Sequence, residues 1–180
     1  MRIIAGSAKG RRLASPRGAA TRPLTDRVRE ALFSSLGALV RGAQVVDLYA
    51  GTGAIGLEAA SRGAASVVFV ERDRQALHAL RSNVAAVGLG GEVVAGDVDH
   101  YLASTDGPFD LAFVDPPYSL ALASVLQILE RLEPTLEDRA TVVVHRRWGE
   151  EPPENAGSLR LTDRRRYGDA AIWRFTKDAS

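Results

Sequence analysis

The sequence predicts an α/β fold with a Rossmann-like, mostly parallel sheet, helices on both faces and a closing antiparallel hairpin. Three observations carry this. Short apolar runs alternate with stretches of helical periodicity, the pattern of strands buried on both sides by crossover helices. A glycine loop, Gly51-Thr52-Gly53-Ala54-Ile55-Gly56, follows the first run and opens a helix. The fourth run, Phe109 to Val114, ends in Asp115-Pro116-Pro117-Tyr118. Two prolines cannot continue a strand, so the chain leaves the sheet there. That is the carboxyl end of a strand, where open parallel sheets bind ligands.

Residues 1–24 are short of large apolar side chains and read as a basic arm, with 25–180 as the main domain. Arg2-Ile3-Ile4-Ala5 and Arg11-Arg12-Leu13 suit two short strands of a hairpin that buries little by itself. Thr25 suits a helix N-cap, with Asp26 in the first turn. Val28, Leu32, Leu36 and Leu39 form the expected core stripe, leaving Arg27, Arg29 and Glu30 outward. Val45 to Tyr49 is the first strand, and the helix after the glycine loop runs to about Arg62. Ser66 to Val70, ending in Glu71, is the second strand, and Ala76 to Val87 a helix stopped at Gly88. Glu92 to Ala95 is the third strand, followed by Gly96-Asp97 and a short helix around Tyr101. After the fourth strand come a helix over Ser119 to Leu132 and a fifth strand over Ala140 to Val144. Ser158 to Leu161 and Ala171 to Phe175 form the hairpin around Tyr167-Gly168-Asp169, which makes seven strands.

Composition narrows the function. At 180 residues and 46% hydrophobic, the chain suits one sizeable core. It has no Cys, which excludes disulfides and thiolate chemistry. No run reaches membrane-span length and no signal core is present, so a cytoplasmic protein is expected. The net charge of +1 conceals basic clusters at the start and around Arg160 and Arg164-Arg165-Arg166, which suggest a local anionic partner such as nucleic acid.

The glycine loop, with Glu71 ending the next strand about 20 residues on, indicates a nucleoside ligand. Asp47 just before the loop would repel a pyrophosphate but suits the ammonium and sulfonium of S-adenosylmethionine. Asp97 is placed to accept from an adenine amino group. Asp115, a backbone carbonyl at Pro116 and the ring of Tyr118 suit a target amine on a stacked base. Hydride transfer has no evident use for that group, so methyl transfer is favoured. Candidate cofactor contacts are Asp47, Ala50, Gly51, Gly53, Glu71, Arg72, Asp97 and Val98. No metal is expected. His78, His100 and His145 read as ordinary surface or strand-end residues, and Trp148 and Trp173 as packing.

Asp47-Leu48-Tyr49-Ala50-Gly51-Thr52-Gly53 resembles motif I of class I methyltransferases, and Asp115-Pro116-Pro117-Tyr118 resembles the catalytic motif of amino methyltransferases. Both are shared with adenine-N6 enzymes. The narrower likeness is Arg2 to Gly6, Lys9-Gly10-Arg11-Arg12-Leu13 and Arg22 to Phe33, which resemble the bacterial RsmD family. The resemblance implies a guanine-N2 methyltransferase of 16S ribosomal RNA, acting on an assembled or assembling small subunit. It implies Asp115, Pro116, Pro117 and Tyr118 as catalytic residues, and Lys9, Arg11, Arg12 and Arg22 as an RNA grip. It adds Thr25 and Arg27 near the methionine carboxylate. The chain departs from the family at Val144-His145-Arg146-Arg147, where the relatives are more acidic, which leaves the role of that edge open. Alternatives are an adenine-N6 enzyme or an inert module that retains the cofactor. A monomer is the default expectation.

Overall fold

A computed structural model describes residues 1–15 and 24–179. Helix α1 (Asp26–Leu36) is capped as expected: the Thr25 side chain accepts from the Val28 N–H. There follow β1 (Gln44–Leu48), α2 (Ala54–Ser61), β2 (Ser66–Glu71), α3 (Arg74–Val87) and β3 (Glu92–Ala95). Next come α4 (Val98–Leu102), β4 (Phe109–Val114), α5 (Leu122–Leu132) and β5 (Leu136–Arg147). The chain closes with β6 (Asn155–Ala156), β7 (Leu159–Tyr167) and β8 (Ala170–Lys177). No helix among the described residues is long and apolar enough to cross a membrane.

The strands form one sheet in the order β3-β2-β1-β4-β5-β8-β7-β6. The first five are parallel, and β8 runs antiparallel between β5 and β7. The eighth strand, beyond the seven expected, is the two-residue β6, too short to show any periodicity. The fifth strand spans twelve residues instead of five: it starts earlier, where Leu136 pairs with Phe109 ahead of an irregularity in β4, and pairing with β8 carries it on through His145, Arg146 and Arg147.

Strand order reverses between β1 and β4, so the crossovers diverge there and open a crevice at the carboxyl ends. Side chains alternate across the sheet. Val45, Phe69, Leu111, Phe113 and Val143 pack with α1, α2 and α3, while Val46, Val70, Val114 and Trp173 pack with α5. Fully burying each such side chain contributes roughly 1.5–3 kcal/mol.

Three expectations change. The buried stripe of α1 is Arg29, Leu32, Phe33 and Leu36, so Arg29 is in the core and Leu39 is exposed. Leu32 and Leu36 stay in the face, which extends to Arg29 and Phe33, while Val28 is half-buried beside it and Leu39 lies in the tighter turn after the helix ends. The arm also buries more than its composition suggests. Ile3, Ala8 and Leu13 join the core, although Arg2 and Arg12 form only a single antiparallel bridge. The Ile4 and Ala5 N–H groups donate to the Glu58 carboxylate, and Ser61 and Asn83 satisfy the backbone of Ser7, Ala8 and Ala14. Trp173 is buried as expected, but Trp148 is 37% exposed. The Arg164 and Arg166 guanidiniums lie 4.8 and 4.9 Å from its ring centre.

Candidate active site

The glycine loop lies where β1 gives way to α2. Tyr49 takes a φ of 62°, unusual for a residue with a side chain, and Gly51 and Gly53 follow at 56° and 80°. The glycines differ in what surrounds them. A Cβ on Gly53 would strike Leu80 of α3 at 2.4 Å, and one on Gly56 would strike Phe69 of β2 at 2.4 Å, so the first lets α3 close on the loop and the second lets α2 pack tightly on the sheet. A Cβ on Gly51 would meet nothing within 4 Å; this glycine faces open space, where a ligand could approach.

Asp47 is 1% exposed. Its Oδ2 accepts from the Gly56 N–H at 2.9 Å, while its Oδ1 is buried with no hydrogen-bond partner. Burial pushes its carboxyl up to about 8, the Gly56 N–H opposes the shift, and Asp115 and Glu71 add to it. A buried acceptor without a donor is costly unless something cationic or hydrogen-bonding arrives. The ammonium of a methionine-like ligand fits that need.

Glu71 and Asp97 continue the row of acids at the ends of β2 and β3. Glu71 Oε2 accepts from the Gly51 N–H at 2.8 Å, and its Oε1 accepts from the N–H groups of Arg72 and Asp73. The acid thus ties the glycine loop to the next strand. Asp97 caps α4 through the Asp99 N–H and pairs with the exposed Arg72 guanidinium at 2.9 Å. Ala50 donates its N–H to Val70, and Val98 is buried beside the same edge.

The acid-proline motif is the immediate neighbour. Leu48 pairs with Val114, and the Asp115 N–H donates to the Leu48 carbonyl at 3.3 Å. Adjacent strands lie ~4.8 Å apart, so the two motifs share one crevice. Pro116 is buried, Pro117 exposed and Tyr118 half-buried. Arg146, buried, donates to the Pro117 and Leu120 carbonyls and pairs with Glu150, which pins the loop after the prolines. The Arg147 guanidinium lies 5.2 Å from the Tyr118 ring centre.

Sequence reasoning missed His145. It is 4% exposed, with Nδ1 2.6 Å from Asp115 Oδ1 and Nε2 3.0 Å from the Tyr118 hydroxyl, so it is neither a surface nor an idle strand-end residue. A signal existed: Val114 and Val144 are in register, so the residue after each must be neighbours. Recovering it required the alignment of β5 on β4, which spacing along the chain does not give.

Other predicted residues stand apart. Thr25 caps α1 and Arg27 is exposed on it, and among the described residues no hydrogen bond ties either to the glycine loop. Lys9, Arg11 and Arg12 are exposed on the arm, and Arg11 donates to the Ala86 carbonyl. Arg22 lies outside the described residues. A concavity of about 320 Å³ opens at the opposite, amino ends of β2 and β3, with Glu92 its only charged lining residue, far from this chemistry.

A parallel sheet in this order, with a glycine loop at the switch point and an acid-Pro-Pro-Tyr exit on the adjoining strand, defines the class I methyltransferase fold, a class whose methyl donor is S-adenosylmethionine. The profile of the family described as Conserved hypothetical protein 95 matches residues 1–176. YlbH of Bacillus subtilis (strain 168), named as a candidate rRNA methyltransferase, is 37% identical across 98% of this chain and 99% of its own. Ribosomal RNA small subunit methyltransferase D of Escherichia coli (strain K12) is 42% identical over 68% of this chain and 62% of its own. The solved structure of the candidate methyltransferase yhhF from Escherichia coli superposes with a TM-score of 0.87 at 34% identity, covering 100% of this chain and 99% of that one. This chain belongs to that RsmD family.

Proposed function

We propose that this protein methylates the exocyclic N2 amine of a guanine in small-subunit (16S) ribosomal RNA, using S-adenosylmethionine, on an assembled or assembling 30S particle. The observation that carries the reading is the backbone bond from Asp115 to Leu48, which sets the acid-proline motif beside the glycine loop. The relatives' names support ribosomal RNA as the substrate.

S-adenosylmethionine supplies a methyl group activated by its sulfonium. Asp47 Oδ1 and the Gly51 and Gly53 backbone hold its methionine end, Glu71 its ribose and Asp97 its adenine. To meet the ribose, Glu71 must share the oxygens it now lends to backbone N–H groups. Guanine N2 is a poor nucleophile because its lone pair is delocalised into the ring. Asp115 and the Pro116 carbonyl accept hydrogen bonds from its two N–H groups, which orients the nitrogen and favours rehybridisation; once the nitrogen carries the methyl it keeps one hydrogen and sheds the other as a proton to water. Tyr118 stacks on the base. Much of the rate then comes from positioning and fixed electrostatics. Splaying the base costs a few kcal/mol, and stacking offsets about 1–3 kcal/mol of it. Lys9, Arg11 and Arg12 grip RNA phosphates.

Labelled methyl transfer to undermethylated small subunits, followed by mapping of the modified base, tests the reading. Label on guanine N2 is expected. Label on adenine N6, or none while the cofactor still binds, would refute it.

A further inference from the structure

Asp115, Tyr118 and His145 come from two different segments yet form one hydrogen-bonded chain. His145 is nearly fully buried on β5, edge-on to Tyr118 with ring centres 5.5 Å apart. A carboxylate can only accept, so His145 Nδ1 carries the hydrogen of the 2.6 Å bond to Asp115 Oδ1. In the neutral ring Nε2 is then an acceptor, filled by the Tyr118 hydroxyl at 3.0 Å. This arrangement occupies one oxygen of Asp115, and no hydrogen bond among the described residues occupies Oδ2. The Asp115 side chain is 26% exposed, so the free oxygen is reachable.

We propose that His145 is the positioning residue of the transfer site: held as the Nδ1–H tautomer by Tyr118, it fixes the Asp115 carboxylate so that Oδ2 receives the substrate amine. The role rests on the methyl-transfer reading above. His145 touches no substrate; it acts through Asp115. It also couples the acid to the stacking ring, since the hydroxyl that locks the imidazole belongs to the residue that carries the base.

The charged groups around the imidazole are few. Asp115 and Tyr118 face it from the β4–α5 connection, and Arg146 and Arg147 flank it on β5. Arg146 is engaged by Glu150 and by the Pro117 and Leu120 carbonyls, while Arg147 lies over Tyr118. Asp47 on β1 lies near enough to Asp115 to feel its charge, and Tyr118 feels that of Asp169 in the β7–β8 turn. On β8 the residue paired with His145 is the apolar Ile172.

The test compares the wild type with His145→Asn and His145→Phe. Single-turnover methyl transfer to undermethylated small subunits is measured, with S-adenosylmethionine affinity followed separately. Asn places an amide N–H where Nδ1 stood. His145→Phe should lose about 10²-fold in rate, the scale of a misplaced reacting group, with cofactor affinity unchanged. His145→Asn should recover most of that loss. Nitrogen NMR of the imidazole in the free protein should show the Nδ1–H tautomer. A wild-type rate in His145→Phe, no recovery in His145→Asn, or an Nε2–H ring would overturn the role even if methylation itself is established. A wild type that methylates no RNA would overturn the activity reading, and this role with it.

Discussion

Two carboxylates in this molecule are equally buried and behave differently. Glu58, on α2 beneath the arm, is 0% exposed, and both its oxygens are engaged. Oε1 accepts from the Ala5 N–H and from Arg62 Nε at 2.7 Å, and Oε2 from the Ile4 N–H. Arg29, also fully buried, lies 4.0 Å from Oε2 and donates to Asp26 and to the Arg2 carbonyl. Asp47, on β1, has one donor, one empty oxygen and two acids for neighbours. Glu58 is a joint between arm and α2 with both oxygens filled, and Arg29 of α1 packs on it with its own Nε and Nη1 unpartnered. Asp47 is an incomplete one, and what it lacks is a cation. A buried carboxyl with both oxygens filled holds parts together, whereas one with an oxygen left empty points to what the site is built to receive.

The largest expected effect separates chemistry from both carboxylates. Asp115→Ala should reduce methyl transfer by at least ~10³-fold while S-adenosylmethionine binding and thermal stability stay near wild type. Unchanged turnover would remove Asp115 from the mechanism. Next, Glu58→Ala strips the Ile4 and Ala5 N–H groups and Arg62 of their acceptor and leaves buried Arg29 with only Asp26 of its two acids, which should destabilise the fold by about 3–5 kcal/mol, measured by denaturant unfolding. A loss under ~1 kcal/mol would mean that the joint is no more than a surface pair.

Asp47→Asn should act in the opposite sense on stability. The native carboxyl, raised from 3.8 to about 8, keeps its proton where the unfolded chain gives its own up. Native stability is therefore fully present below 3.8, declines as pH rises, and this contribution is gone above about 8. The amide removes that decline, so the variant should be the more stable protein at alkaline pH yet bind the donor about 10-fold more weakly, roughly 1.4 kcal/mol. A parallel pH dependence of melting in variant and wild type would contradict the account. The smallest effect concerns the arm. Replacing Lys9, Arg11 and Arg12 by Ala should leave the fold intact and reduce the salt dependence of RNA binding by about 0.7 per lost phosphate contact. An unchanged slope would place the RNA grip elsewhere, with the arginines around Trp148 the first alternative.

Legibility followed the range of the interaction. The glycine loop, the acids at strand ends and the proline exit were readable because each is a local solution to a local problem: a tight turn, a helix start, a strand stop. The buried Arg29 was not readable. One helical face had to be chosen from composition, and Val28 looked the more apolar candidate until Phe33 claimed the core. The burial of the arm was hidden for a similar reason, since its partners Glu58, Ser61 and Asn83 lie 53 or more residues away. Trp148 reads as packing by residue type, but its neighbours are guanidiniums that the β7 register brings over it.

The sequence by itself determined the alternation of strand and helix, the glycine turn, and an acid and aromatic ring at a strand exit, because backbone sterics and periodicity act over a few residues. Only the tertiary structure decided that β4 lies against β1, that His145 lies against Asp115, and that one oxygen of Asp47 stays empty. Those outcomes depend on which strands pair and in which register, and pairing is set by the burial of whole faces at once.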